Sequence, residues 1–332
     1  MPHTYSPVDW EGLIGNTPLV RLRRLLPDGA FQVYAKLEMF NLGGSMKDRS
    51  SLNMLESGLK AGRIKTDTTV VESSSGNMGI GMAQACKRHG LRFICVVDER
   101  TNQQNIKMLR ALGAIIDMVK QPSDGKSLLE ARLQRVRELL EANPNSYWPN
   151  QYTNVANPAA YQGMMHEIDA ALNGKIDFLF CATGTCGTVR GCADYIKRHK
   201  LPTTVVAVDA VGSVIFGGTP KPRLIPGHGA AIKPPLFRDG LADEVIHMSD
   251  HDCVVGCRYL RETESILAGG SSGAIVSALL QYAPNIPADA NVVLILGDRG
   301  DRYLDTVYND EWVQAHIESS VLHKTLEVPY AV

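Results

Sequence analysis

Thr69-Val70-Val71-Glu72-Ser73-Ser74-Ser75-Gly76-Asn77-Met78-Gly79 starts as an apolar, β-branched run, turns through small hydroxyl residues and enters a segment of helical period. An unbroken apolar run, rather than strict alternation, is how a strand buried on both faces reads. The pattern recurs at residues 93–97, 114–119, 178–182, 204–208 and 292–296. Between these runs, Leu129, Leu133, Val136 and Leu140 repeat with helical spacing, as do Met164, Met165, Ile168, Ala171 and Leu172. Such repeats mark half-buried helices. Strand and helix in alternation predict an α/β fold of mostly parallel sheets covered by helices.

The flanks read differently. Residues 17–22 and 32–38 are two short strands around the turn-like Leu26-Pro27-Asp28-Gly29, a hairpin-like preface. Pro144, Pro149, Pro158 and several Asn interrupt the periodicity around residues 143–157, which predicts a boundary there. The expected division is a smaller lobe, 41–150, and a larger one made of 1–40 with 151–332. Residues 211–240 carry five prolines and no period, a stretch long enough to expect a working loop or a lid. The tail after Trp312 has little pattern and is expected to be loosely held.

Composition narrows the function classes. With 34 Lys+Arg against 35 Asp+Glu and no basic run, binding to nucleic acid by phosphate neutralisation is a poor expectation. No stretch approaches the roughly 18 to 20 apolar residues of a membrane span, and the start, MPHTYSPVDW, lacks a signal-peptide pattern. Seven cysteines without a C-x-x-C pair favour a reducing cytoplasm over disulfides or zinc. His247 and His251 lack a carboxylate at metal-protease spacing, so no metal is expected.

Three further segments carry chemistry. Asn41-Leu42-Gly43-Gly44-Ser45-Met46-Lys47-Asp48-Arg49 puts a lysine just inside a helix start behind two glycines, where it can serve as an amine nucleophile or base; a surface or phosphate-gripping lysine is the plainer alternative. Thr183-Gly184-Thr185-Cys186-Gly187-Thr188 follows one buried run and opens a helix, a cradle for phosphate. Ala268-Gly269-Gly270-Ser271-Ser272-Gly273-Ala274 also leads into a helix. Ser73, Ser74, Ser75 and Gly76, in the opening stretch, suit a carboxylate or phosphate, with Asn77 able to cap the helix. Ligands in open α/β sheets bind beyond the carboxyl ends of strands, which is where such turns fall.

Taken in order, these segments and the closing Asp298-Arg299-Gly300-Asp301-Arg302-Tyr303 resemble the fold-type II pyridoxal-phosphate enzymes of the cysteine synthase and cystathionine β-synthase family, over roughly residues 10 to 312. The resemblance implies two α/β lobes of the tryptophan synthase β-subunit kind sharing a cofactor cleft, and a homodimer. It implies that Lys47 holds the cofactor as an internal Schiff base and moves the Cα proton. Asn77 would bond the pyridine hydroxyl, Gly184, Thr185, Cys186, Gly187 and Thr188 would hold the phosphate, and Ser271 would face the pyridine nitrogen. A neutral serine there favours β-elimination. Ser73 through Gly76 would clamp the substrate α-carboxylate.

The implied reaction is β-replacement on an activated L-serine through an aminoacrylate. Asn150-Gln151-Tyr152 and residues 208–217 bring the chain nearest to members that use O-phospho-L-serine and the amine of L-glutamate on the way to 2,3-diaminopropionate and siderophores. A cysteine synthase using sulfide is the alternative, and a silent binding module a more distant one. The chain after Tyr303 is too short for the regulatory region that cystathionine β-synthases often append. A dicarboxylic nucleophile needs a cation, and Arg132 lies at the edge of an apolar helix face, where it points inward or is solvated beside Arg135 and Arg137. Tyr152 matches the glutamate users, with a half-buried aromatic as the plainer reading. Two departures stand out: Gly184 is the plain glycine of cysteine synthases, and Cys186 replaces a glycine of the family.

Overall fold

A computed structural model describes residues 8–27, 29–121 and 127–317. Asp28 of the expected turn, the first residues of the chain and most of the pattern-poor tail lie outside the described residues. Contacts divide the chain into two compact units, one running to Pro18 and then over Glu38–Ala171, the other comprising Leu19–Leu37 and everything from Leu172.

The first unit holds a parallel sheet of β3 (Thr69–Ser73), β4 (Arg92–Asp98), β5 (Ile115–Val119) and β6 (Ser146–Tyr147), ordered β5-β4-β3-β6. The apolar runs of β3 and β4 are unbroken because both faces are covered, whereas β5, at the edge, leaves Ile115 and Met118 exposed. Val70, Phe93, Cys95 and Val97 pack with Met54, Ile80, Met82 and Leu109 from α1 (Lys47–Lys60), α2 (Asn77–Arg88) and α3 (Gln103–Ala111). Val71, Ile94 and Val96 face Val136 and Leu139 of α4 (Leu128–Ala142). Ser127 and Glu130 form a reciprocal capping box that starts α4 where the spacing predicts it.

The boundary falls later than residue 150. Residues 151–171, with α5 (Ala156–Ala159) and most of α6 (Tyr161–Leu172), pack on α1: Asn53 donates to the carbonyl of Ala156 at 2.6 Å, and the Tyr161 hydroxyl bonds Ser50 at 3.2 Å. Prolines 144, 149 and 158 interrupt the local period without ending the packing.

The second unit has a six-stranded sheet ordered β1-β2-β10-β7-β8-β9. Its strands are β1 (Leu19–Arg21), β2 (Gln32–Leu37), β7 (Phe178–Ala182), β8 (Thr204–Ala210), β9 (Glu244–Met248) and β10 (Asn291–Leu296). The hairpin expected early in the chain is the antiparallel β1–β2 pair, and the remaining pairings are parallel. Helices α7 (Gly187–His199), α8 (Asp250–Glu264), α9 (Gly270–Tyr282) and α10 (Asp310–His316) complete it. Cys253 and Cys257, four apart on α8, are both buried, and α8 crosses α9 where Gly256 meets Gly273. Among the described residues, no helix is long and apolar enough to cross a membrane.

Candidate active site

In the first unit, Lys47 is the first residue of α1, half-buried, with its Nζ 5.9 Å from the centroid of the Tyr161 ring. The turn before it is tied down from within. Asp48 accepts from the Gly43 N–H at 2.5 Å, and a side chain at position 43 would collide with Asp48 and Gln84. Gly44 sits at φ +81, a conformation glycine adopts without steric cost. Behind Lys47, the buried Arg49 forks onto two carboxylates, Glu38 at 2.7 and 2.9 Å and Glu167 at 2.7 Å. Those anions hold the guanidinium above its usual pKa against the effect of burial. The start of α1 is thereby fixed to α6.

The serine loop joins β3 to α2. Asn77 is not the cap: Gly76 occupies that position and Asn77 is the first helical residue, half-buried. The capping bonds come from Ser74, whose hydroxyl accepts from Gly79 N–H at 2.9 Å and Gly76 N–H at 3.3 Å. Ser74 therefore shapes the loop, and Ser73 Oγ is buried with no protein partner. Residues 79 and 95 are in such close contact that a Cβ at Gly79 would stand 3.0 Å from the Cys95 sulfur.

Two residues from the quoted motifs do more than the sequence suggested. Gln151 donates its amide to the Ser73 carbonyl at 3.0 Å. Glu72, fully buried, accepts from the N–H groups of Ser73 at 2.9 Å, Trp148 at 3.1 Å and Gln151 at 3.3 Å. Burial outweighs these donors and pushes Glu72 up to about 7. An isolated acidic residue at a strand end gives no sign of this.

Arg132 points inward: its side chain is 11% exposed and its Nε lies 3.2 Å from Asp98. Arg135 instead pairs with Asp117 at 2.9 Å on a more open surface. Tyr152 is half-buried, its phenol pushed up to about 12 by burial, with the Arg132 charge opposing and Glu72 adding to the shift. The charges of Arg132 and Glu72 thus both reach Tyr152.

In the second unit, the cradle follows β7 and opens α7. Cys186 is the helix cap at φ +65, the left-handed region that glycine enters without steric cost. Its thiol is buried and pushed up to about 12, chiefly by desolvation. Gly184 must be glycine here, because a Cβ would sit 2.7 Å from the Gly227 carbonyl oxygen; the hydroxyls are supplied by Thr185 and Thr188. Ser271 is the second residue of α9 and half-buried. The stretch 225–227 links the two: Ile225 packs on Gly270 while Gly227 packs on Gly184.

The closing motif secures that turn. Asp298 accepts from the Tyr303 hydroxyl at 2.6 Å and offers its backbone carbonyl to Gly269 N–H at 3.1 Å. Tyr308 donates to the Ala268 carbonyl at 2.7 Å. Residues 211–240 form no helix or strand, yet they are fastened to the second unit through Gly229 N–H to the Thr183 carbonyl at 2.8 Å and Arg190 to the Leu236 carbonyl at 3.2 Å.

A lysine opening one helix, a small-residue loop at a strand end and an α7 N-terminus free of acidic side chains are compatible with a phosphorylated aldehyde cofactor. Residues 11–298 match the family described as pyridoxal-phosphate dependent enzyme. The chain belongs to that family, within its cysteine synthase and cystathionine β-synthase group. It is 45% identical over 301 residues, 90% of this chain and 89% of the other, to an N-(2-amino-2-carboxyethyl)-L-glutamate synthase of Ralstonia nicotianae. Among solved structures, an O-acetylserine-dependent cystathionine β-synthase of Helicobacter pylori matches with a TM-score of 0.85 at 32% identity, covering 92% of this chain and all of the other, 100%. A cysteine synthase of Entamoeba histolytica matches with a TM-score of 0.86 at 30% identity, over 93% and 92% of the two chains. This pyridoxal-phosphate enzyme is a β-replacement catalyst with the two mostly parallel sheets of fold type II.

Proposed function

We propose that this enzyme replaces the β-substituent of O-phospho-L-serine with the amine of L-glutamate, giving N-(2-amino-2-carboxyethyl)-L-glutamate and phosphate. The observation that carries the choice of nucleophile is the inward Arg132 beside Tyr152. Sulfide needs no such cation, whereas the side-chain carboxylate of glutamate does. Asp98 engages the Nε edge of Arg132, and the two terminal nitrogens form the planar fork that matches a carboxylate. The 45% relative, named for the same product, supports the reading.

Pyridoxal phosphate, when bound, supplies the electron-withdrawing ring that makes the Cα–H acidic and lets the β leaving group depart. Lys47 would hold it and carry the Cα proton on its Nζ. Asn77 and Ser271 would orient the ring. Gly184, Thr185, Cys186, Gly187 and Thr188 would hold its phosphate at the start of α7, where backbone N–H groups and the helix dipole collect. Ser73, Ser75 and Gly76 would bind the substrate α-carboxylate, with Ser74 and Gln151 keeping that loop in shape. Proton transfer of this kind contributes roughly 10²- to 10⁴-fold, which is the loss expected in Lys47→Ala.

The test is a product analysis: the enzyme is incubated with O-phospho- or O-acetyl-L-serine and with L-glutamate or sulfide, and the products are weighed by mass spectrometry. The glutamate adduct should form fastest from the phosphorylated donor. Faster formation of cysteine would overturn the assignment in favour of a cysteine synthase. We also propose a cytoplasmic homodimer; seven buried free thiols suit a reducing compartment, and light scattering reads the assembly.

A further inference from the structure

Beside the phosphate loop lies a buried polar pair that the reaction above does not use. His228 is 2% exposed and neither of its ring nitrogens has a protein partner. Asp209, at the carboxyl end of β8, is fully buried, and its Oδ2 likewise lacks one. Buried polar atoms are nearly always paired, and an unmet one costs about 1–3 kcal/mol, so three on two neighbouring segments call for an explanation.

Both residues are wired to the loop. Oδ1 of Asp209 accepts from the Thr183 hydroxyl at 2.8 Å and from Ala210 N–H at 2.9 Å. Thr183 immediately precedes Gly184. His228 is carried between Gly227 at φ +75 and Gly229 at φ +72. Gly227 lends the carbonyl that abuts Gly184, and Gly229 donates to the Thr183 carbonyl at 2.8 Å. Movement at Thr183 is thus felt at Asp209 through one side and at His228 through the other.

The charges that act on the imidazole are Asp209 from β8 and Arg223 from the loop, the latter donating to the Gly212 carbonyl at 2.8 Å. Desolvation dominates and pushes His228 down to about 4, with Asp209 opposing and Arg223 adding. The ring is therefore neutral at physiological pH and presents one N–H donor and one acceptor. Asp209 Oδ2 can only accept while ionised. The two are complementary.

We propose that His228 is a positioning residue of the phosphate loop: when a phosphate dianion loads residues 184–188, the imidazole N–H closes onto Oδ2 of Asp209 and locks Thr183 in place. The inference rests on the assignment of that loop to the cofactor phosphate. It makes His228 a contributor to cofactor affinity that touches neither cofactor nor substrate.

The probe is 4′-deoxypyridoxine 5′-phosphate, which carries the phosphate but no aldehyde, added to cofactor-stripped full-length enzyme. Binding is followed by calorimetry and by the phosphorus-31 resonance of the bound probe. His228→Leu should weaken binding roughly 10- to 150-fold and move the resonance, the size of one hydrogen bond to a charged group, whereas His228→Gln, which keeps a donor, should stay within about threefold of the parent. Thr183→Val should weaken binding by itself and add little in the double variant with His228→Leu, because both act through Asp209. Equal losses in His228→Leu and His228→Gln, or none in either, would overturn the proposal; should His228→Leu fail to fold, a loss well beyond threefold in His228→Gln would do so. An unaltered enzyme that bound the probe no better than pyridoxine would overturn the loop assignment itself, and this inference with it.

Discussion

The side-chain amide of Gln151 donates to the carbonyl oxygen of Ser73 at 3.0 Å, across 78 positions of sequence. The serine loop is therefore shaped from outside as well as by its own Ser74. Gln151→Ala leaves that carbonyl short of a donor, while the Gln151 N–H to Glu72 is kept, and the loop should relax. We expect kcat/KM for the serine donor to fall about tenfold, the equivalent of about 1.4 kcal/mol, while the melting temperature drops by only a few degrees. Steady-state kinetics with thermal unfolding measures both.

Glu72 gives the fold a pH dependence. Its folded pKa, about 7, lies above the ordinary value of 4.5, so the folded state binds the proton more tightly than the unfolded chain. The associated stability is fully present below pH 4.5 and is lost as pH rises through 7. The full swing is on the order of 3 kcal/mol. Glu72→Gln should remove it, so that the difference in melting temperature between variant and parent moves in the variant's favour from pH 5 to pH 8.5. A constant difference across that range would show that Glu72 stays ionised throughout.

Arg132→Lys and Tyr152→Phe address the nucleophile. An ammonium cannot reproduce the planar fork, and phenylalanine lacks the hydroxyl. Each should raise KM for L-glutamate roughly tenfold and leave consumption of the serine donor with sulfide within about twofold. Arg132→Ala is a poorer probe, because it strands Asp98, 8% exposed, without its cation.

Cys186 should resist chemistry despite its place in the loop. With its thiol pushed up to about 12 and nearly covered, native enzyme at pH 8 should leave this residue unalkylated by iodoacetamide for hours, and unfolding should expose it. Cys186→Gly removes the left-handed strain of about 1 kcal/mol and loses a comparable burial term, so the melting temperature should change by no more than a few degrees. Peptide mass mapping and calorimetry report the two outcomes.

Much of this was legible in the chain itself. Runs such as 93–97 and 204–208 lie on covered strands, and apolar residues on both faces leave no other reading. The Lys47 and Gly184–Thr188 segments announced their helix starts through glycine and hydroxyl residues, because those rules act within a few positions. β6, two residues long, and β9, a half-exposed edge strand, carry too little pattern to be seen in that way.

Local chemistry, then, determined the elements, the order of the loops and the family. Only the tertiary structure decided what depends on partners far along the chain. It turned Arg132 inward to Asp98, joined residues 151–171 to α1, gave Ser73 its amide from Gln151 and set His228 against the loop that begins at Thr183. The reason is physical: hydrogen bonds and desolvation are settled by whichever segments meet, and nothing in the spacing of a single segment records which those will be.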